Sequence, residues 1–128
     1  MSKIIHAMIR VLDLDRSMRF YGDLLALRES HRLEFPDFAL VYLRNDENGF
    51  ELELTLNRGQ EEPYTHGSGY GHIAIAVVDA YQTCLEIRQL GGKVTREAGP
   101  MKGGTAVIAF VEDPDGYKIE LIQRPGAA

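Results

Sequence analysis

The stretch Asp113-Pro114-Asp115-Gly116-Tyr117-Lys118-Ile119-Glu120-Leu121 decides how this chain is read. Its first four residues are turn formers. The next five alternate as a strand does, but with a carboxylate where Val or Thr would serve an ordinary sheet better. A weaker copy stands earlier, Gly49-Phe50-Glu51-Leu52-Glu53-Leu54, with the same order of glycine, aromatic, charge, aliphatic, glutamate and leucine. Each copy follows a histidine at nearly the same distance: His6 and Glu53 are 47 positions apart, His72 and Glu120 are 48.

Around these stretches the same pattern runs twice. Ala7, Ile9 and Val11 alternate with His6, Met8 and Arg10, which predicts a strand within 3–12. Asp13 or Asp15 caps a helix in which Leu14, Met18, Tyr21 and Leu25 recur at helical spacing. Strands are expected at about 27–33, 38–44 and 49–56. Residues 57–70, with Asn57, Gly59, Pro63, Gly67, Ser68 and Gly69, read as a linker. The pattern then restarts with a strand from Gly71 to Val78, a capping Asp79, and a helix marked by Ala80, Cys84 and Ile87 and closed by Gly91-Gly92. Strands at about 93–97, 105–111 and 117–123 follow, then a loose tail, Pro125–Ala128. The two starts, His6 and His72, are 66 positions apart. That is too long for a solenoid unit and fits two copies of one βαβββ module. The expected fold is α+β: one domain, 1–128, of two tandem βαβββ modules (about 1–57 and 70–124) forming a curved mixed sheet.

Composition narrows the function classes. A chain of 128 residues, 45% hydrophobic and 26% charged, has enough apolar residue for a core without cross-links. Its net charge of −5 argues against nucleic acid or an anionic membrane as the main partner. Cys84 is the only cysteine, so neither a disulfide framework nor a cysteine metal cluster is expected, which suits a reducing cytosol. Residues 1–6 turn polar too soon for a signal peptide, and no apolar run nears membrane-spanning length. A cytoplasmic protein is expected.

A single strand histidine is more often half-buried and hydrogen-bonded than a ligand, and a single strand glutamate usually faces solvent. The repeat changes this by pairing a particular glutamate with a particular histidine. His6, Glu53, His72 and Glu120 together make a mixed nitrogen/oxygen set suited to Ni²⁺, Co²⁺, Fe²⁺, Mn²⁺ or Zn²⁺. Arg10 shares a strand face with His6, and Asn57 shares one with Glu53. His31 and His66 have no counterpart in the other half. Lys102 lies in Gly99-Pro100-Met101-Lys102-Gly103-Gly104, which reads either as a closing loop or as a solvated turn.

His6–Val11, Glu53–Asn57, Tyr70–Ala74, Thr95–Thr105 and Asp113–Glu120 resemble the bacterial glyoxalase I (lactoylglutathione lyase) family of the vicinal-oxygen-chelate superfamily, over nearly the whole chain. The resemblance implies that His6, Glu53, His72 and Glu120 bind one divalent metal per site, and that the protein is a homodimer. Each site then takes His6 and Glu53 from one subunit and His72 and Glu120 from the other. It implies isomerisation of the methylglyoxal–glutathione hemithioacetal to S-D-lactoylglutathione, with Glu120 as the base and Arg10 and Asn57 touching glutathione; His72 and, from the loop reading, Lys102 are further expected substrate contacts. Short members of the family tend to use Ni²⁺ or Co²⁺ and longer ones Zn²⁺, so Ni²⁺ is expected here. Ser68 stands where some members carry an arginine, leaving Lys102 and Arg96 as candidates for the far carboxylate of glutathione. The competing readings are a metal-dependent epimerase or dioxygenase of the same superfamily, and a metal-free module that sequesters small molecules.

Overall fold

The structure is a computed structural model describing residues 1–125; of the expected loose tail, Gly126 onward lies outside the described residues. The chain divides into two compact units, Met1–Tyr64 and Thr65–Ala128. The first holds β1 (His6–Val11), α1 (Leu14–Met18), β2 (Arg28–Glu34), β3 (Phe38–Arg44) and β4 (Glu51–Asn57). The second holds β5 (Ile73–Val77), α2 (Ala80–Gln89), β6 (Lys93–Pro100), β7 (Val107–Glu112) and β8 (Lys118–Gln123). Each module builds its own four-stranded mixed sheet, ordered β1-β4-β3-β2 in the first and β5-β8-β7-β6 in the second. The helix carries the chain across the sheet, so the first strand lies parallel to the last while the other pairs are antiparallel.

Both helices start in the same way. Asp13 and Asp79 are extended, and each side chain accepts from the N–H three residues on, 3.1 Å away at Arg16 and at Gln82. The helices then diverge. Beyond α1, Arg19–Leu24 widens into a π-helical stretch where an unbroken α-helix was expected. Ser17, Tyr21 and Leu25, four apart, are buried with Phe20, whereas Leu14 and Met18 are only half-buried. The wider turn keeps this four-residue spacing aimed at the core and sets Phe20 edge-on to Tyr21, with ring centroids 4.9 Å apart. The stretch closes on Ala26 at φ 58°, a left-handed position that favours glycine. α2 ends as expected: Gly91 adopts φ 81° and the Gly92 N–H returns to the Ile87 carbonyl at 2.8 Å.

The Asp113–Gly116 turn is tightly tied. The buried Asp113 carboxylate accepts from the N–H groups of Asp115 and Tyr117, both at 2.9 Å, and Gly116 takes φ 86°. Ile119 and Leu121 then fall into the core at 0% exposure, with Glu120 on the opposite face. β6 runs three residues further than expected, to Pro100, with register breaks on either side of Arg96. Such breaks leave carbonyls out of the ladder, and the Arg96 guanidinium donates to those of Glu97, Gly99, Pro100 and Ile108 at 2.8–3.3 Å. Among the described residues, no helix is long and apolar enough to cross a membrane.

Candidate functional site

His6 opens β1, and the alternation that buries Ile9 and Val11 leaves His6, Met8 and Arg10 exposed on the other face. Parallel pairing sets His6 opposite Glu51. From two residues further along β4, Glu53 brings its Oε1 to 3.3 Å from the His6 Nε2. The second module repeats the arrangement. His72 falls just before β5, and its Nε2 lies 3.1 Å from Oε1 of Glu120. In both pairs the histidine is the more open partner, with side-chain exposures of 38% and 44% against 9% for Glu53 and 16% for Glu120.

These separations suit a shared cation. Two donors about 2.1 Å from one metal stand about 3 Å apart when they subtend a right angle there. Imidazole nitrogen with carboxylate oxygen is also the donor mixture that first-row divalent metals accept. Each pair supplies two donors, fewer than a metal centre needs. Among the described residues, no three His, Cys, Asp or Glu side chains are grouped to hold a metal ion.

An aromatic ring stands across the ladder from each glutamate: Tyr42 is the antiparallel partner of Glu53, and Phe110 that of Glu120. Each ring takes its histidine edge-on, at centroid distances of 5.6 Å for His6 and 5.4 Å for His72. Sequence reading missed both rings, although Tyr42 and Phe110 alternate with buried residues of β3 and β7 in the same phase as the glutamates. Glu53 has further partners. Its Oε2 accepts from the Thr55 hydroxyl at 3.1 Å, and the Tyr42 phenol is the neighbouring hydroxyl across the ladder. The Tyr42 phenol is pushed up by burial, then by the neighbouring Glu53 carboxylate and by the negative charge of Glu51.

Of the remaining predicted residues, Arg10 and Asn57 lie on the ladder of His6 and Glu53: Arg10 pairs with Thr55, two residues before Asn57, as His6 pairs with Glu51, two before Glu53. Arg10 is exposed on β1, and half-buried Asn57 donates to the Tyr64 hydroxyl at 3.1 Å. Lys102 is exposed in a β6–β7 hairpin closed by the Met101 N–H on the Ala106 carbonyl at 2.9 Å. Arg96, the other candidate for a carboxylate, is instead engaged with backbone carbonyls of its own hairpin. The two unmatched histidines have packing roles. His31 stacks on Tyr42 at 4.1 Å and faces Glu51 at 3.8 Å, while His66 stacks on Tyr117 at 4.1 Å.

A duplicated βαβββ sheet with a His–Glu pair on each copy defines a class, and comparison with known proteins identifies it. The profile of the Glyoxalase/Bleomycin resistance protein/Dioxygenase superfamily matches residues 3–121, and the chain belongs to that family. Within it the chain groups with the lactoylglutathione lyases. It is 54% identical over 126 residues to the lactoylglutathione lyase of Haemophilus influenzae, covering 95% of this chain and 93% of that one. Among solved structures, Leishmania major glyoxalase I superposes with a TM-score of 0.82 at 37% identity, covering 96% of this chain and 87% of that one. Glyoxalase I from Zea mays superposes with a TM-score of 0.86 at 42% identity over 95% of this chain. The chain spans only 44% of the length of that maize protein.

Proposed function

We infer that this chain is a metal-dependent lactoylglutathione lyase, isomerising the hemithioacetal of methylglyoxal and glutathione to S-D-lactoylglutathione and so removing methylglyoxal. The observation that carries the reading is the twofold His–Glu pairing, at 3.3 Å and 3.1 Å, in a chain that belongs to this family. His6, Glu53, His72 and Glu120 hold the metal, with Ni²⁺ the expected ion and Co²⁺ the next. Because each pair offers only two donors, the reading is of a homodimer in which His6 and Glu53 of one subunit face His72 and Glu120 of the other.

The metal, when bound, supplies Lewis-acid polarisation of the substrate carbonyl. Glu120 carries the proton. Its carboxylate takes the hydrogen from the carbon bearing sulfur and hydroxyl and returns it to the neighbouring carbonyl carbon. The hydroxyl proton of the first carbon ends on the oxygen of the second. One C–H bond breaks and one forms, and no oxidant enters. Arg10 and Asn57 contact glutathione, His72 lies against the reacting end, and Lys102 reaches the far carboxylate in place of the arginine that Ser68 replaces. The setting is the cytoplasm, where glutathione is reduced.

The test is hemithioacetal isomerisation followed spectroscopically, with apo protein reconstituted in parallel with Ni²⁺, Co²⁺ and Zn²⁺. Turnover restored by Ni²⁺ and Co²⁺ is expected. Silence with every metal would sink the reading, and activity with Zn²⁺ alone would overturn only the choice of metal.

A further inference from the structure

The two modules match at the histidine, the glutamate and the ring, and differ in what surrounds the glutamate. In the first module the residue across the ladder from Glu53 is Tyr42, and the residue two further along the strand on the same face is Thr55. The corresponding positions around Glu120 are Phe110, its partner in β7, and Ile122. Both hydroxyls of the first module are therefore replaced by apolar groups in the second.

The geometry gives that difference a consequence. One oxygen of Glu53 faces His6 at 3.3 Å, and the other accepts from Thr55 at 3.1 Å. Glu53 and Thr55 are both buried, at 7% and 6% exposure. Tyr42 is itself held between rings: His31 lies flat on it, 4.1 Å away and 8° from parallel, and His6 meets it edge-on. Swinging Glu53 away from His6 breaks the Thr55 bond and parts the carboxylate from the Tyr42 phenol across the ladder, in a place with little water to replace them. Neither Phe110 nor Ile122 has a hydroxyl to donate to Glu120, and the Glu120 side chain is the more exposed of the two, at 16% against 9%.

We propose that Tyr42 and Thr55 are positioning residues that lock Glu53 as a stationary metal ligand, and that Phe110 and Ile122 leave Glu120 able to swing. The proposal rests on the metal-dependent reading above. It explains why two glutamates at equivalent places in a duplicated frame have unequal tasks. The asymmetry is built into the shell around the carboxylates rather than into the carboxylates themselves.

The test exchanges the two shells. Tyr42→Phe with Thr55→Val loosens Glu53 at nearly constant volume, and Thr55→Ser restores one hydroxyl. Phe110→Tyr with Ile122→Thr offers Glu120 the same pair of donors. Co²⁺ affinity is measured by chelator competition, the Co²⁺ absorption spectrum reports the ligand environment, and circular dichroism checks the fold. Loosening Glu53 should weaken Co²⁺ binding by about 10- to 100-fold, the usual cost of losing a hydrogen bond behind a ligand, and Thr55→Ser should recover part of it. Pinning Glu120 should lower kcat by about tenfold or more while KM and Co²⁺ affinity stay near wild type, since a carboxylate that cannot move remains a ligand but not a base. Unchanged Co²⁺ affinity and spectrum in the loosened variant would overturn the anchoring. An unchanged kcat in the pinned variant would overturn the account of Glu120 mobility. A wild-type protein that binds Co²⁺ but does not isomerise the hemithioacetal would refute the proposed reaction and, with it, the assignment of mobility to catalysis. The anchoring of Glu53 is still decided by the affinity measurement alone.

Discussion

Replacing His6 with Ala in one copy of the chain and Glu120 with Gln in another damages a different His–Glu pair in each. In a dimer whose sites combine one pair from each subunit, either variant alone has two defective sites. A mixed dimer differs. One site collects both defects, while the other takes His6 and Glu53 from the Glu120→Gln subunit and His72 and Glu120 from the His6→Ala subunit, so it is fully wild type. Random reassociation of equal amounts makes half of the dimers mixed, each with one good site of two. Specific activity should therefore return to about a quarter of wild type. The two copies, differently tagged, are co-refolded or co-expressed, and the mixed species is isolated and assayed with Ni²⁺. Purified mixed dimer should reach about half of wild-type activity. If each site is complete within one chain, every site in the mixture keeps one defect and nothing is recovered. That outcome would refute the shared-site reading, which rests on there being two donors in each pair and no larger cluster among the described residues.

Three further outcomes are expected. Glu120→Gln should lower kcat by about 10²–10⁴ with metal still bound, the usual range for removing a positioned base, and a near-normal rate would rule out its role. Ala26→Gly, which relieves a left-handed non-glycine residue at φ 58°, should raise stability by about 1 kcal/mol in urea titration, less whatever the unfolded chain gains in freedom. The Tyr70 phenol, pushed up to about 12 mainly by burial and then by the charge of Asp113 and by Tyr117, donates to the Lys118 carbonyl at 2.8 Å. A neutral form favoured in the fold contributes stability that is complete below the ordinary tyrosine value and is lost as pH rises towards 12. Thermal midpoints measured through that window should fall in the wild type and fall less in Tyr70→Phe.

Much of the fold could be read from the sequence because its signals are local. Asp13, Asp79 and the Gly91-Gly92 pair act within a turn of where they stand, and alternation alone separates Ile119 and Leu121 from Glu120. The π-helical widening after Met18 was not legible, since it answers the need to bury Phe20 and Tyr21 together against a core assembled from distant strands. The bulged course of β6 was missed for a similar reason. The carbonyls that Arg96 satisfies are exposed only by the pairing of β6 with β7.

The site divides along the same line. Sequence alone singled out the four residues His6, Glu53, His72 and Glu120, because duplication matched one histidine to one glutamate twice, and it carried the family resemblance that the comparisons bear out. Tertiary structure alone set the Nε2–Oε1 separations of 3.3 Å and 3.1 Å, because a distance between strands depends on register, which no spacing along the chain states. It also revealed Tyr42 and Thr55 around Glu53 against Phe110 and Ile122 around Glu120. Tyr42 and Phe110 reach their glutamates across an antiparallel ladder, and only the folded sheet brings those positions together.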